Sequence, residues 1–151
     1  MIGFGLLCGH LVGDYWLQNG WMAANKANPV FQPKNGSKVF AGGGAFVVND
    51  NSRPHIRELA REGHLACAIH CLFYTVAVWA FSFWWMPIWG LIACLVAHFV
   101  VDRFALARHW MMATEWHRDF ATGSLSPWSI VVVDNTAHLV TLFLIAALAG
   151  Q

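Results

Sequence analysis

Charge is what this sequence has least of. Nine Lys and Arg and eight Asp and Glu make up 11% of the 151 residues, where a soluble domain carries about 25%. That scarcity excludes an ordinary solvated surface. The formal net charge of +1 also excludes the broad basic field that nucleic acid needs, so no nucleic-acid partner is expected. No CxxC pair is present: Cys8, Cys67, Cys71 and Cys94 stand alone in apolar stretches, which excludes zinc ribbons and thioredoxin-like centres and reads as small buried hydrophobes. Cys67 and Cys71 do share a helix face near His70, so a thiolate beside a metal is a minor alternative. The first apolar stretch has no basic n-region and carries His10 and Asp14; it is expected to be a retained span and not a cleaved signal.

Apolar residues, by contrast, reach 58%, nine of the residues are Trp, and the mean hydropathy is +0.49. The expected fold is all-α: one integral membrane four-helix bundle over residues 1–151, with spans at about 1–20, 64–85, 87–108 and 127–149. The second and third spans are separated only by Met86 and Pro87 and must form an antiparallel hairpin, and Pro127 opens the fourth at a favourable first-turn position. Residues 28–63 form a polar insertion. Its Gly- and Asn-rich first part predicts a loop with a small hairpin around Val39 to Val48. Pro54 to Gly63, with Ile56, Leu59 and Ala60 on one side, predicts a short amphipathic helix lying on the membrane surface.

Basic residues set the orientation. Lys26, Lys34, Lys38, Arg53, Arg57 and Arg61 fall between the first and second spans, and Arg103, Arg108 and Arg118 fall by the third-to-fourth connection; the hairpin turn and the tails have none. The positive-inside rule makes those two connections cytoplasmic. The expectation is a multi-pass protein of the inner (cytoplasmic) membrane with both termini outside. Trp84, Trp85 and Trp89 would collar the outer face, Trp16, Trp21, Trp110, Trp116 and Trp128 the inner one, and Trp79 alone lies in the apolar layer.

The chemistry lies in three pairs four residues apart: His10 and Asp14, His98 and Asp102, and the reversed pair Asp134 and His138. Such spacing places both side chains on one helix face, and ionisable groups inside spans are costly enough to read as functional. At 1.5 Å per residue the three Asp lie roughly 10 Å inside the cytoplasmic end of their spans, with the His one turn deeper. His70 falls at the Asp level. The reversal in the fourth span is what a helix of opposite direction needs to keep its pair in register with the third.

Imidazole and carboxylate together suit a divalent metal ion, zinc first, with manganese or iron as alternatives. The metal candidates are His10, Asp14, His70, His98, Asp102, Asp134 and His138. Seven groups exceed the need of one tetrahedral ion, so either two ions bind or some Asp orient His rings; interhelical hydrogen bonding alone is the bland alternative. Gln18 and Asn135 flank this layer. His64 points about 120° away from His70, and His55, His109 and His117 are expected in solvated or interfacial segments. Arg103 and Arg108 read first as snorkelling anchors, with anion binding at the cytoplasmic mouth as the alternative.

The blocks HLVGDYWLQNGWMAANK at 10–26, LACAIHCLFYT at 65–75, HFVVDRF at 98–104, ATGSLSPW from 121 and DNTAHL ending at 139 resemble the domain of unknown function 3307 family of small bacterial and phage membrane proteins. The likeness covers most of the chain outside 28–63, where the family has a shorter link. It implies a membrane fold and a phage or prophage setting and supplies no activity. A fainter likeness is to membrane-bound metal-dependent hydrolases.

Three functions compete. In a metal-dependent hydrolase of a lipid or lipid-linked phosphate, Asp14, Asp102 and Asp134 are the catalytic carboxylates and substrate enters on the Arg103 side. A non-enzymatic phage or bacterial membrane effector would use the layer as a metal staple or hydrogen-bond network and meet its protein partner through 28–63. Ion or proton movement ranks last, since the outer half offers no polar path. Membrane lipids and a second copy of the chain are the other expected partners, because four short spans are few for a solitary bundle.

Overall fold

The computed structural model describes residues 2–29, 33–41, 44–82 and 85–150. Helix α1 (Ile2–Leu11) runs into a π-helical turn at Val12–Trp16, and a short α2 (Gly20–Asn25) follows, capped by the Asn19 side chain. Strands β1 (Lys38–Ala41) and β2 (Gly44–Val47) pair antiparallel, with Lys38 opposite Val47 and Ala41 opposite Gly44. The expected hairpin is therefore present; Gly42 and Gly43 at its tip lie outside the described residues. Val39, Val48 and Ile56 form a small core that pins this hairpin to the start of α3.

Helix α3 (Arg53–Phe81) is continuous over 29 residues. It absorbs both the expected surface helix 54–63 and the second span, which corrects the sequence reading of two separate elements. Gly63, at the expected boundary, is buried, and a Cβ there would stand 2.9 Å from Asn28 Cβ and 3.1 Å from Arg103 Cζ. Its smallness serves close packing against the 25–28 segment. The expected span tail at Phe83 and Trp84, with Trp84's place in the outer collar, lies outside the described residues. After the turn come α4 (Ile88–Arg103), α5 (Leu106–Ala113), α6 (Glu115–Thr122) and α7 (Trp128–Ala149). Ala105, at φ 46° in the left-handed region, makes the corner between α4 and α5, a conformation disfavoured for a residue with a Cβ.

Segments α1, α3, α4 and α7 pack side by side. Gly3 approaches Phe143, Gly90 approaches Ala149 and Gly150 approaches Trp85, so the start of α1, the end of α3, the start of α4 and the end of α7 share one end. At that end Leu6, Tyr74, Val78, Met86, Cys94, Leu142 and Ala146 form the main apolar core. The opposite half of the bundle holds the His and Asp residues. Small residues let α1 lie on α3: a Cβ on Gly9 would meet Val78 Cα at 2.9 Å, and one on Gly13 would meet Tyr74 Cα at 2.8 Å.

Two helical stretches, Asp50–Phe81 and Trp128–Ala149, are long and apolar enough to cross a membrane, and a third counts if α4 and α5, bent by 49°, are one broken span. The outer surface agrees: the large apolar side chains of Ile88, Val132, Leu144 and Leu148 are more than half exposed. The α1 and π-turn segment, 15 residues in all, extends only about 22 Å, short of the roughly 30 Å hydrocarbon layer.

The Gly13 contact gives the first expected outcome. Gly13→Leu forces α1 off α3, a backbone clash of the kind that costs about 1–3 kcal/mol or more, and lowers the unfolding midpoint in detergent. Gly20→Ala, where a Cβ meets nothing within 4 Å, leaves it unchanged or slightly raised.

Candidate metal centre

Four elements deliver the polar layer. Asp14 comes from the π turn, His70 from α3, His98 and Asp102 from α4, and Asp134 and His138 from α7. All but Asp134 are buried, and the His70 and Asp102 side chains are 0% and 1% exposed. His70 Nε2 lies 3.1 Å from Asp14 Oδ1, 3.2 Å from Asp102 Oδ2 and 3.0 Å from His98 Nε2. His98 Nε2 lies 3.5 Å from Asp14 Oδ1 and 3.4 Å from Asp102 Oδ2.

These separations have a chemical meaning. One imidazole nitrogen holds at most one proton and donates it to one acceptor at a time, yet each Nε2 here faces three ligand-type atoms. For metal–ligand bonds of 2.0–2.1 Å, tetrahedral geometry sets neighbouring ligand atoms about 3.3 Å apart. The five separations above, 3.0 to 3.5 Å, bracket that length. Asp14, His70, His98 and Asp102 can hold a metal ion. In one respect the centre departs from the common pattern: His70 Nδ1 and His98 Nδ1 have no hydrogen-bond partner among the described residues, where metal-bound imidazoles usually donate from the second nitrogen.

Asp102 is shared. Its Oδ1 lies 3.1 Å from His138 Nε2, which lies 3.4 Å from Asp134 Oδ2. Asp102, Asp134 and His138 make a second group able to hold an ion. Cys67 and Cys71 come within ligand reach of Asp102 as well, but their sulfurs lie 3.9 Å apart and Cys67 points at the Phe99 carbonyl; thiol and not thiolate contacts are what these partners favour.

His10 stands aside from these groups. The π turn widens the helix between residues 10 and 14, which puts Asp14 onto His70 and leaves His10 Nε2 3.9 Å from the Asp14 carboxylate but 2.9 Å from Asn135 Oδ1. His10 Nδ1 meets the Tyr74 hydroxyl at 3.4 Å. Single-turn π distortions of this kind recur at functional sites. Six of the seven sequence candidates thus converge on the layer's two ligand groups, and His10 bonds to Asn135 instead.

Lys26 is the residue that sequence spacing missed. Its ammonium lies 2.8 Å from Asp102 Oδ2, 3.4 Å from His70 Nε2 and 3.9 Å from Asp14 Oδ1. Burial works against its charge, but the Asp102 and then the Asp14 carboxylates outweigh it and hold the ammonium above its ordinary pKa. The one available signal was a lone Lys directly after the apolar WMAAN turn of α2.

What brings Lys26 inward is Arg103, the largest fully buried side chain. Its Nε donates to His64 Nδ1 at 3.1 Å, its Nη2 to the Ala60 carbonyl at 3.0 Å and its Nη1 to the Asn28 carbonyl. Asn28 in turn donates to Asn25 Oδ1 and the Leu59 carbonyl. Arg103, 1% exposed, therefore clamps the 25–28 segment onto α3 with three of its N–H donors. The opening lies elsewhere, in a cleft of about 480 Å³ lined by Lys26, Asp102, Ala105, Arg108, His109 and Asp134 among others.

Arg103→Lys cannot reach three acceptors from one ammonium. Leaving buried acceptors unmet costs about 1–3 kcal/mol each, so this conservative change lowers stability in detergent by about 2–4 kcal/mol, read from denaturant unfolding, while Arg108→Lys leaves it within about 0.5 kcal/mol.

Comparison of the chain with protein-family models, with curated proteins and with solved structures gives no match.

Proposed function

We propose that the protein is a four-helix inner-membrane bundle whose polar layer binds a divalent metal ion, zinc first, and hydrolyses a lipid or lipid-linked phosphate at the cytoplasmic side. The observation that carries this reading is the set of four buried ligand atoms in which each imidazole nitrogen lies 3.0 to 3.5 Å from the other and from both carboxylates. Charge supports it: the Lys26 ammonium lies 3.9 Å from Asp14 and 2.8 Å from Asp102, and one ammonium against the three carboxylates of the layer leaves negative charge in an apolar bundle that bound cations offset. When bound, such an ion polarises a phosphoryl oxygen and acidifies water.

The chain's own residues supply the rest. Lys26 and Arg108 line the cleft beside the cluster and suit a phosphoryl group as point charge and planar fork. Asp134, with its side chain 25% exposed against 1% for Asp102, is the more accessible of the two layer carboxylates that line this cleft, where it accepts a proton from water. On the far side of α5 an apolar groove of about 650 Å³, lined by Leu106, Trp110, Phe120, Val133 and Val140 among others, suits an acyl or prenyl chain. The likeness to the domain of unknown function 3307 family is kept as part of this proposal, as are membrane lipids and a second copy of the chain as partners.

A second reading rests on Lys26: with its ammonium 2.8 Å from Asp102, it could be the resident cation of a purely structural network in a non-enzymatic effector. Elemental mass spectrometry on detergent-purified protein separates the two. The metal reading expects near-stoichiometric zinc, manganese or iron in the parent, loss in Asp102→Asn, and retention in Lys26→Met, whose hydrolysis of vesicle-borne lipid phosphates falls through a raised KM. Absence of metal in the parent even after reconstitution with each ion, with Lys26→Met unfolding, overturns it in favour of the network. For the hydrolase itself, Asp134→Asn is expected to slow phosphate release by about 10²–10⁴-fold, the range for loss of a general base.

A further inference from the structure

We infer that the polar layer holds two divalent cations and not one, with Asp102 as the carboxylate that bridges them and the second ion facing the cleft. The inference rests on the metal reading above and deepens it.

The two oxygens of Asp102 point to different ligand sets. Oδ2 joins Asp14, His70 and His98 at 3.2 to 3.4 Å from the two imidazoles. Oδ1 lies 3.1 Å from His138 Nε2, and His138 Nε2 lies 3.4 Å from Asp134 Oδ2. These two separations again match the roughly 3.3 Å between neighbouring ligands of a tetrahedral ion. Neither set shares any residue but Asp102. A carboxylate with one oxygen in each of two adjacent ligand sets is the arrangement that spaces two metals about 3.5–4 Å apart.

The two seats differ in what surrounds them. The first draws four protein ligands, all buried, which closes a tetrahedral shell and suits a structural or anchoring ion. The second draws three, of which Asp134 is partly exposed, and two of the three, Asp102 and Asp134, line the open cleft with Lys26 and Arg108. Three ligands with an open side are what a substrate-binding ion requires. One carboxylate oxygen suffices for the ion, so the second oxygen of Asp134 keeps the proton-accepting part given to it above. Stacking of the His98 and His138 rings, centroids 4.0 Å apart, fixes the two histidines of different seats against each other and so sets the seats' spacing. Cleft and bridge together suit a phosphate monoester or diester whose oxygens contact the second ion.

The test uses manganese alone as probe on the intact protein in detergent, stripped and reloaded, with metal counted by elemental mass spectrometry and the spins read by electron paramagnetic resonance. Two ions per chain with an exchange-coupled signal, falling to one uncoupled ion in Asp134→Asn, is the expected result. One uncoupled ion in both parent and Asp134→Asn overturns the second seat and leaves the single-metal reading standing. No ion in the parent overturns both. Should Asp134→Asn fail to fold, the parent's count and coupling decide alone, and His138→Gln, expected to retain one uncoupled ion, serves as the second variant.

Discussion

Everything in this bundle depends on the cost of holding carboxylates away from water. Asp102, with its side chain 1% exposed, cannot stay ionised in an apolar interior without positive charge or hydrogen-bond donors close by. The fold answers with imidazoles from α3, α4 and α7 and one ammonium from the loop. Each of those groups needs its own fixed element, so the requirements of one carboxylate dictate where four segments meet. The apolar half, with Tyr74, Val78, Leu142 and their neighbours, then sets the distance between helices at which the polar half can close.

Rigid support accounts for much of the remaining design. Gly9 and Gly13 bring α1 against α3 at backbone contact, a use of small residues suited to helices that pack in lipid, where no hydrophobic driving force operates between them. Ala105 turns the chain at the end of α4, which releases α5 to pass along α7 and form the cleft's rim. Arg103 then ties the 25–28 segment to α3 through three carbonyl or imidazole acceptors.

The polar layer was legible because its signal is a spacing. Four-residue His and Asp pairs in apolar runs, with the order reversed in the last, predicted which side chains meet, and six of seven do so in the two ligand groups. What escaped was set by contacts distant in sequence. Lys26 reaches the layer only through Arg103 and Asn28, and no local pattern encodes that. His10 precedes a π turn, at which Gly13 packs closely on Tyr74, and its ring bonds to Asn135. The continuity of α3 through Gly63 was illegible for the same reason: the polar helix and the apolar span read as separate elements, and the glycine between them is a contact surface. The hairpin at 38–47 was readable, since alternation and Gly placement are local.

The clamp between Asn28 and Arg103 spans 75 residues of chain, and that separation has a consequence for biogenesis. Asp14 and Lys26 enter the membrane region early in synthesis, but the loop that carries Lys26 cannot lock until the far end of α4 has emerged. His70, 56 residues beyond Asp14, arrives first and shelters its carboxylate; Arg103 arrives later and closes the loop over the layer. The layer therefore stays open until α4 is in place, which is the interval in which hydrated ligands can be exchanged for buried ones.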